Sequence, residues 1–199
     1  MSKKFPENYI TTSTYRMFND NTEDYWFYHK DSFPLNEPLL YKELLNGANS
    51  KIEVWDPYIN TGQNEFEIFN SIKEDITVKF LTLKKLNKPC NANYISAIET
   101  EFKNAVSHLT NIRLGIRVVN ESDPPNNENW FFHDRFLIID REKVFLIGSS
   151  IGWHCKSNGA TGIFRINDSA TIEFIIAIFD EFWDHWNSLT GVEFAVKNI

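Results

Sequence analysis

The strongest constraint on the fold is a strand–helix–strand run over residues 77–118. Residues 77–83 form a short apolar segment, which predicts a strand. Residues 93–109 carry apolar side chains at spacings of three and four, which predicts a helix with one buried stripe. Residues 112–118 alternate in polarity and predict a strand with one buried face. Alternation of strands with helices predicts the α/β class.

The rest of the chain continues this alternation. We expect a strand at 51–56, a helix from 36 to Gly47, a helix at 64–73, strands at about 131–139 and 143–147, and a last helix starting at Asp168 or Ser169. The two strands within 131–147 are joined by a tight turn and add an antiparallel pair, so the predicted sheet is mixed and flanked by helices.

The length of 199 residues favours one domain. We predict an N-terminal arm over residues 1–35, which contains an aromatic strand near residue 26, and a single domain over residues 36–199.

The net charge, the N-terminal sequence and the cysteines limit the classes of function that the chain can have. The net charge of −7 means that the overall field does not attract nucleic acid or anionic membranes, although a local basic groove is compatible with it. No apolar leader follows Met1, and no stretch is long enough to span a bilayer. Cys90 and Cys155 lack metal-ligand spacing and predict reduced thiols. The expectation is a cytoplasmic protein without a metal or cofactor.

One segment concentrates the chemistry. His133 is followed two residues later by Arg135 and five residues after that by Asp140, and a Gly148-Ser149-Ser150 turn comes next. Side chains alternate along a strand, so His133 and Arg135 are expected on one face. A nucleophile or base beside an anion clamp suits attack on a phosphate ester.

This segment resembles the HKD motif of the phospholipase D superfamily, His-x-Lys-x4-Asp with Gly-Ser downstream, in a form that has Arg in place of Lys. Residues 54–58, which read Val-Trp-Asp-Pro-Tyr, resemble the first core strand of small bacterial members, and residues 80–83 resemble the second. The resemblance covers about residues 36–190 and implies a phospholipase D-like domain.

The resemblance also implies roles for the motif residues. His133 would attack phosphorus and form a phosphohistidine intermediate, and Arg135 would hold the non-bridging oxygens. Asp140 would orient or support the site, and Ser149 and Ser150 would contact the phosphate. The resemblance implies that this chemistry needs no metal. The expected activity is therefore that of a metal-independent phosphodiesterase, with a nuclease favoured.

The motif occurs in one copy. Single-copy members of the superfamily build one site across a twofold axis, so the resemblance implies a homodimer in which a second histidine acts as general acid. His154, Asp56 and Asn158 are further candidates for substrate-facing positions, since His154 and Asn158 follow the Gly-Ser turn and Asp56 ends a strand.

Several alternatives stay open. Arg in place of Lys, and the absence of the usual Asn and Glu after the Gly-Ser turn, favour a catalytically inactive module that binds a phosphorylated ligand, nucleic acid or a protein partner. A lipid-directed role would need an apolar or basic membrane-facing patch, and the sequence shows none. At single residues, Asp140 and Asp56 could be turn residues, and Arg135 could form a structural ion pair with Asp140 or Asp134.

Overall fold

The computed structural model describes residues 25–29, 39–59, 61, 65–84, 92–120, 134–151, 160–184 and 190–196. Within these ranges the α-helices are Leu39–Asn46 (α1), Ala92–Ala105 (α2) and Ser169–Asp184 (α3), and a 3-10 helix covers Glu65–Ser71. The strands are Tyr25–His29 (β1), Lys51–Trp55 (β2), Thr77–Lys84 (β3), Ile112–Asn120 (β4), Phe136–Ile139 (β5), Lys143–Ile147 (β6), Ala160–Ile166 (β7) and Thr190–Val196 (β8).

The eight strands form one sheet in the order β1-β7-β6-β5-β2-β3-β4-β8. β2, β3 and β4 run parallel to one another, and the other neighbouring pairs are antiparallel. The parallel strands are connected through the 3-10 helix and α2, because parallel neighbours need a crossover, whereas β5 and β6 form a hairpin. The predicted α/β class, with a mixed sheet flanked by helices, is confirmed.

The larger core lies on the face of the sheet that packs against α1, α2 and the 3-10 helix. Alternate strand residues point to this face and are buried, among them Ile52, Val54, Val78 and Phe80. The five apolar residues of the stripe predicted for 93–109 are all buried in the same core: Ile95, Ile98, Phe102, Val106 and Leu109. Edge-to-face ring contacts join Phe80 to Phe66, Phe69 and Phe102.

The opposite face is covered by α3. Its buried side chains, Ile175, Phe179, Phe182 and Trp183, pack on the sheet residues Trp55, Leu81, Leu83, Ile138 and Val144. Asp168 caps the helix as predicted, because its carboxylate accepts the backbone N–H of Thr171 at 2.8 Å. α3 has 16 residues, and the helices of the described ranges are all too short or too polar to cross a bilayer.

Two cations hold the C-terminal end of α3 on the sheet. The Lys79 ammonium lies 4.3 Å from the Trp183 ring centroid, and the Arg117 guanidinium lies 5.3 Å from it. Both distances are within the range of a cation–π contact. These two basic residues of β3 and β4 therefore pack against the helix.

Four details differ from the sequence predictions. The predicted helix at 64–73 is the 3-10 helix, and α2 ends at Ala105, before a turn that carries the last two stripe residues. The predicted strand 131–139 is β5, which begins at Phe136, and residues 131–133 lie outside the described ranges. β7 and β8 were not predicted.

The aromatic strand predicted near residue 26 is present as β1. It pairs with β7 in antiparallel register, with Trp26 opposite Ile163, and so extends the sheet at one edge. The division into an arm over 1–35 and a domain over 36–199 stays a prediction.

The β5–β6 turn carries an ion-pair network that reaches the α3 face. Arg141 has a positive φ of 59° and follows Asp140, which has a φ of 54°. The Arg141 guanidinium donates to the Glu53 carboxylate at 2.9 Å and to Asp180 of α3 at 2.8 Å. Glu53 is 0% exposed, so this network places a carboxylate inside the sheet–helix interface and pairs it with a half-buried cation.

Candidate functional site

The candidate site lies where β2 and β6 end and β5 begins. Trp55 of β2 pairs with Phe136 of β5, so the same antiparallel register places Asp56 opposite Arg135 at the next position. On the other side, the backbone N–H of Ile147 donates to the Arg135 carbonyl at 2.8 Å. Three strand ends therefore bring together the Asp-Pro-Tyr segment, Arg135 and the Gly-Ser turn.

Asp56 is the buried centre of this cluster and is 1% exposed. Its carboxylate accepts the N–H of Ile151 at 2.7 Å, the N–H of Tyr58 at 2.8 Å and the Ser150 hydroxyl at 3.3 Å. Burial raises the pKa of the Asp56 carboxyl, while the hydrogen bonds and the charge of Arg135 act in the opposite direction. Asp56 thus connects the end of β2 to the turn after β6.

Arg135 is held on two sides. Its Nε lies 3.6 Å from Asp56 Oδ1, and its Cζ lies 4.9 Å from the centroid of the Tyr58 ring. The Arg135 side chain is 22% exposed, and its Nε has no hydrogen-bond partner among the described residues. A structural ion pair of Arg135 with Asp140 or Asp134 was the alternative to a functional role, and the structure shows an ion pair with Asp56.

The two serines of the turn differ in their contacts. Ser150 is 7% exposed, and its hydroxyl donates a hydrogen bond to the Asp56 carboxylate. The Ser149 hydroxyl is buried and has no hydrogen-bond partner within the described part of the chain. A buried hydroxyl without a partner costs roughly 1–3 kcal/mol, so a ligand oxygen that reached Ser149 would relieve this cost.

Asp140 lies at the other end of β5. Five residues of extended chain separate it from Arg135, which corresponds to about 16 Å. Its carboxylate accepts the N–H groups of Asn49, Ser50 and Lys51 at 2.9, 2.8 and 3.0 Å. The structure therefore does not bring Asp140 together with Arg135. Asp140 instead joins the β5–β6 turn to the loop before β2.

Because of these contacts, the contribution of Asp140 to the stability of the fold depends on pH. Partial burial acts to raise the pKa of Asp140, but the hydrogen bonds from residues 49–51 outweigh it and lower the pKa to about 2, from 3.8. Because the pKa of the folded state lies below that of the unfolded state, the stabilisation is complete above about pH 5 and is lost as the pH falls through 3.8 toward 2.

An Asp140→Asn variant is expected to lose about 1–2 kcal/mol of unfolding free energy at pH 7, since the carboxylate is partly solvent-screened. Urea unfolding of both proteins from pH 2.5 to 7 checks this: the difference should shrink toward the acid end. Asparagine tolerates the positive φ, so the backbone cost is matched. Asp75→Asn, the same exchange at an exposed residue with a φ of 64° whose carboxylate accepts a hydrogen bond from the Asn111 side-chain amide, is the control for the exchange itself. A difference that is independent of pH would contradict the assignment.

Three predicted site residues, His133, His154 and Asn158, lie outside the described residues.

Two assignments change when the site is assembled. Asp56 was a candidate for a substrate-facing position, with a turn residue as the alternative, and the structure buries it because the turn after β6 closes over its carboxylate. Tyr58 was named only as part of a strand pattern, and its ring contacts Arg135. The sequence signal that could have identified Tyr58 as a site residue is its position two residues after an Asp that ends a strand. No group of three or more His, Cys, Asp or Glu side chains suited to a metal ion occurs among the described residues.

Comparisons with known proteins concern the fold. No family model and no curated protein matches the sequence. The chain is similar in structure to NucT from Helicobacter pylori, with a TM-score of 0.50 and 13% identity, over 77% of this chain and 89% of NucT. It is also similar to Nuc from Salmonella typhimurium, a phospholipase D family member, with a TM-score of 0.48 and 16% identity, over 77% of this chain and 89% of Nuc.

A further neighbour is TrmBL2, an archaeal chromatin protein, with a TM-score of 0.45 and 17% identity. The alignment covers 84% of this chain, which spans 55% of the length of TrmBL2. At these identities a similarity concerns the fold alone. The chain therefore has an α/β fold, with a mixed sheet flanked by helices, that is similar to the fold of NucT.

Proposed function

We propose that this chain is a phosphodiesterase that cleaves nucleic acid through a covalent histidine intermediate. The observation that carries the proposal is the position of Arg135, which a buried carboxylate and an aromatic ring contact at the strand ends where the Gly-Ser turn also lies. In that turn the Ser149 hydroxyl is buried without a hydrogen-bond partner among the described residues. A guanidinium and a hydroxyl both suit the non-bridging oxygens of a phosphate. His133, two residues away in sequence, supplies the nucleophile.

The proposed reaction has two steps. In the first, the His133 imidazole attacks phosphorus, the P–N bond forms, the P–O bond to the leaving group breaks, and a general acid protonates that oxygen. In the second, water attacks phosphorus, the P–N bond breaks, and the same group accepts the proton of the water. Arg135 and Ser149 would stabilise the charge on the non-bridging oxygens in both steps. Neither step of this reaction uses a metal ion.

The general acid is proposed to come from a second copy of the chain. The motif occurs once in the sequence, so a homodimer would supply a second histidine opposite the first. The preference for nucleic acid rests on the resemblance to small bacterial phospholipase D-like proteins, and a net charge of −7 requires that any contact with a polyanion be local.

The test is cleavage of bis(p-nitrophenyl) phosphate and of single- and double-stranded DNA and RNA in EDTA, with the oligomeric state measured at the same concentration. Metal-independent cleavage by a dimer, together with an acid-labile phosphorylated species after rapid quenching, is the expected result. Cleavage that requires an added divalent cation, or cleavage by a monomer, would contradict the mechanism.

A second candidate is a binding module without catalytic activity. The buried Asp56 carboxylate lies 3.6 Å from the Arg135 guanidinium and offsets part of its charge, so the site is less electropositive than a lone cation would make it. This candidate predicts binding of a phosphorylated ligand, dependence on Arg135 and no turnover. A folded dimer that binds phosphate but cleaves none of these substrates would favour it.

A further inference from the structure

The two contacts of Arg135 lie on different parts of its guanidinium. The Nε atom lies 3.6 Å from Asp56 Oδ1, at ion-pair distance, and the Cζ atom lies over the Tyr58 ring at 4.9 Å from its centroid. A guanidinium is planar and has five N–H donors in a fixed arrangement, so contacts at Nε and at Cζ restrict the directions open to the two terminal nitrogens.

We propose that Asp56 and Tyr58 are positioning residues that orient Arg135 so that its terminal nitrogens bind two oxygens of one phosphate. This inference rests on the proposed function and adds that the site is built for arginine and would work poorly with lysine. Asp56 occupies the Nε edge and Tyr58 supports the plane, which leaves the Nη1 and Nη2 edge for a bidentate contact with the ligand.

The buried Asp56 carboxylate should make lysine and arginine at position 135 differ in how well they bind phosphate. A lysine at position 135 would carry its charge on one ammonium group, and the neighbouring Asp56 carboxylate would compete with the ligand for that group. Arginine can contact Asp56 through one nitrogen and the ligand through the two others.

Asp56 also ties this orientation to the serine turn. The same carboxylate accepts the Ile151 N–H at 2.7 Å and the Ser150 hydroxyl at 3.3 Å. The preceding residue of the turn is Ser149, whose buried hydroxyl has no hydrogen-bond partner within the described ranges. One buried group thus contacts the cation and holds the turn that carries this hydroxyl.

The test measures binding of inorganic phosphate and of tungstate by titration calorimetry, which does not depend on turnover. Tyr58→Leu is the main variant, because Tyr58 is half-buried and its replacement does not remove the buried carboxylate. Loss of the ring should weaken oxyanion binding about three- to tenfold, and Tyr58→Phe, which retains the ring, should restore it to within about twofold of wild type.

Arg135→Lys should weaken binding by about tenfold or more, because the ammonium pairs with Asp56 and cannot bind in a bidentate manner. In the Arg135→Lys background, Tyr58→Leu should add little further loss, since the lysine has no plane for the ring to support. This double-mutant cycle separates positioning from general packing, which would lower binding equally in both backgrounds. Thermal unfolding of each variant confirms that it is folded.

The outcomes are distinguishable. If folded wild-type protein binds neither oxyanion, the phosphate clamp of the proposed function is wrong and this inference is wrong with it. If wild type binds, but Arg135→Lys binds as tightly or Tyr58→Leu causes equal losses in both backgrounds, the positioning role is overturned while the proposed phosphate site stands.

Discussion

Replacing His133 with asparagine is expected to reduce phosphodiester cleavage by a factor on the order of 10⁴–10⁶, the scale seen when an essential nucleophile is removed. Asparagine is close to histidine in size and retains a polar side chain, but it cannot form the P–N bond of the proposed intermediate. The measurement is the initial rate on bis(p-nitrophenyl) phosphate and on labelled DNA, in EDTA, at equal protein concentration. The quenched phosphorylated species should be absent as well.

His108→Asn is the matched control, because His108 is an exposed residue in the turn after α2, away from the strand ends that form the site. It should cleave at the wild-type rate. If the His133→Asn protein retained more than about a hundredth of the wild-type rate, the covalent step would be ruled out. Phosphate binding by Arg135 and Ser149 alone could not sustain such a rate. Loss of the dimer in the variant would point to an assembly defect, so its mass in solution is measured in parallel.

Regular periodicity made most of the fold predictable. The stripe of residues 93–109 and the alternation of 112–118 come from side chains that repeat every 3.6 or 2 positions, and the cap at Asp168 is a local contact over three residues. Each is encoded within one segment, so it can be recognised in the sequence alone.

Elements that depend on distant partners were missed. β7 contains Gly162 and Arg165, which weaken its intrinsic strand preference, and it is a strand because β1 and β6 pair with it on either side. The apolar residues at 64–73 do favour a helical segment, but the difference between a 3-10 and an α-helix depends on its packing between α1 and α2.

The candidate site shows the same division. The spacing of His133, Arg135 and Ser149 follows from the sequence, but the partner of Arg135 does not, because Asp56 lies 79 residues earlier and meets it only through the β2–β5 register. Asp140 was grouped with the site by spacing, yet its carboxylate bonds to backbone groups 89 to 91 residues away. Contacts over such separations require the sheet order, and no local pattern contains it.

The Glu53–Arg141–Asp180 network is a third long-range feature, and it should have a large effect on stability. Glu53 is 0% exposed, and one of its carboxylate oxygens has no hydrogen-bond partner among the described residues. Its other oxygen accepts from the Arg141 guanidinium at 2.9 Å, and Lys79 lies opposite Glu53 in the β2–β3 register. Breaking a buried ion pair by removing one partner usually costs about 3–5 kcal/mol, because the other charge is left in a medium of low dielectric constant.

An Arg141→Met variant is therefore expected to lose about 2–3 kcal/mol of unfolding free energy, toward the lower end because the Arg141 side chain is 32% exposed and partly screened. For a chain of 199 residues this corresponds to a fall in Tm of roughly 4–12 °C. Methionine keeps the aliphatic stem and has the same difficulty as arginine with the positive φ, so the backbone contribution cancels. Calorimetric melting and urea unfolding measure the change.

The decisive comparison is the double variant Glu53→Leu, Arg141→Met. If the loss comes from an uncompensated carboxylate, removing that carboxylate should recover most of it, because an apolar pair can replace a buried ion pair at little or no net cost. If the loss came instead from the contact of Arg141 with Asp180 on α3, Glu53→Leu would not restore stability, and Asp180→Asn alone would cause the same loss.

Arg113→Met, at an exposed position on β4, is the control for the loss of one positive charge and should change the unfolding free energy by less than about 0.5 kcal/mol.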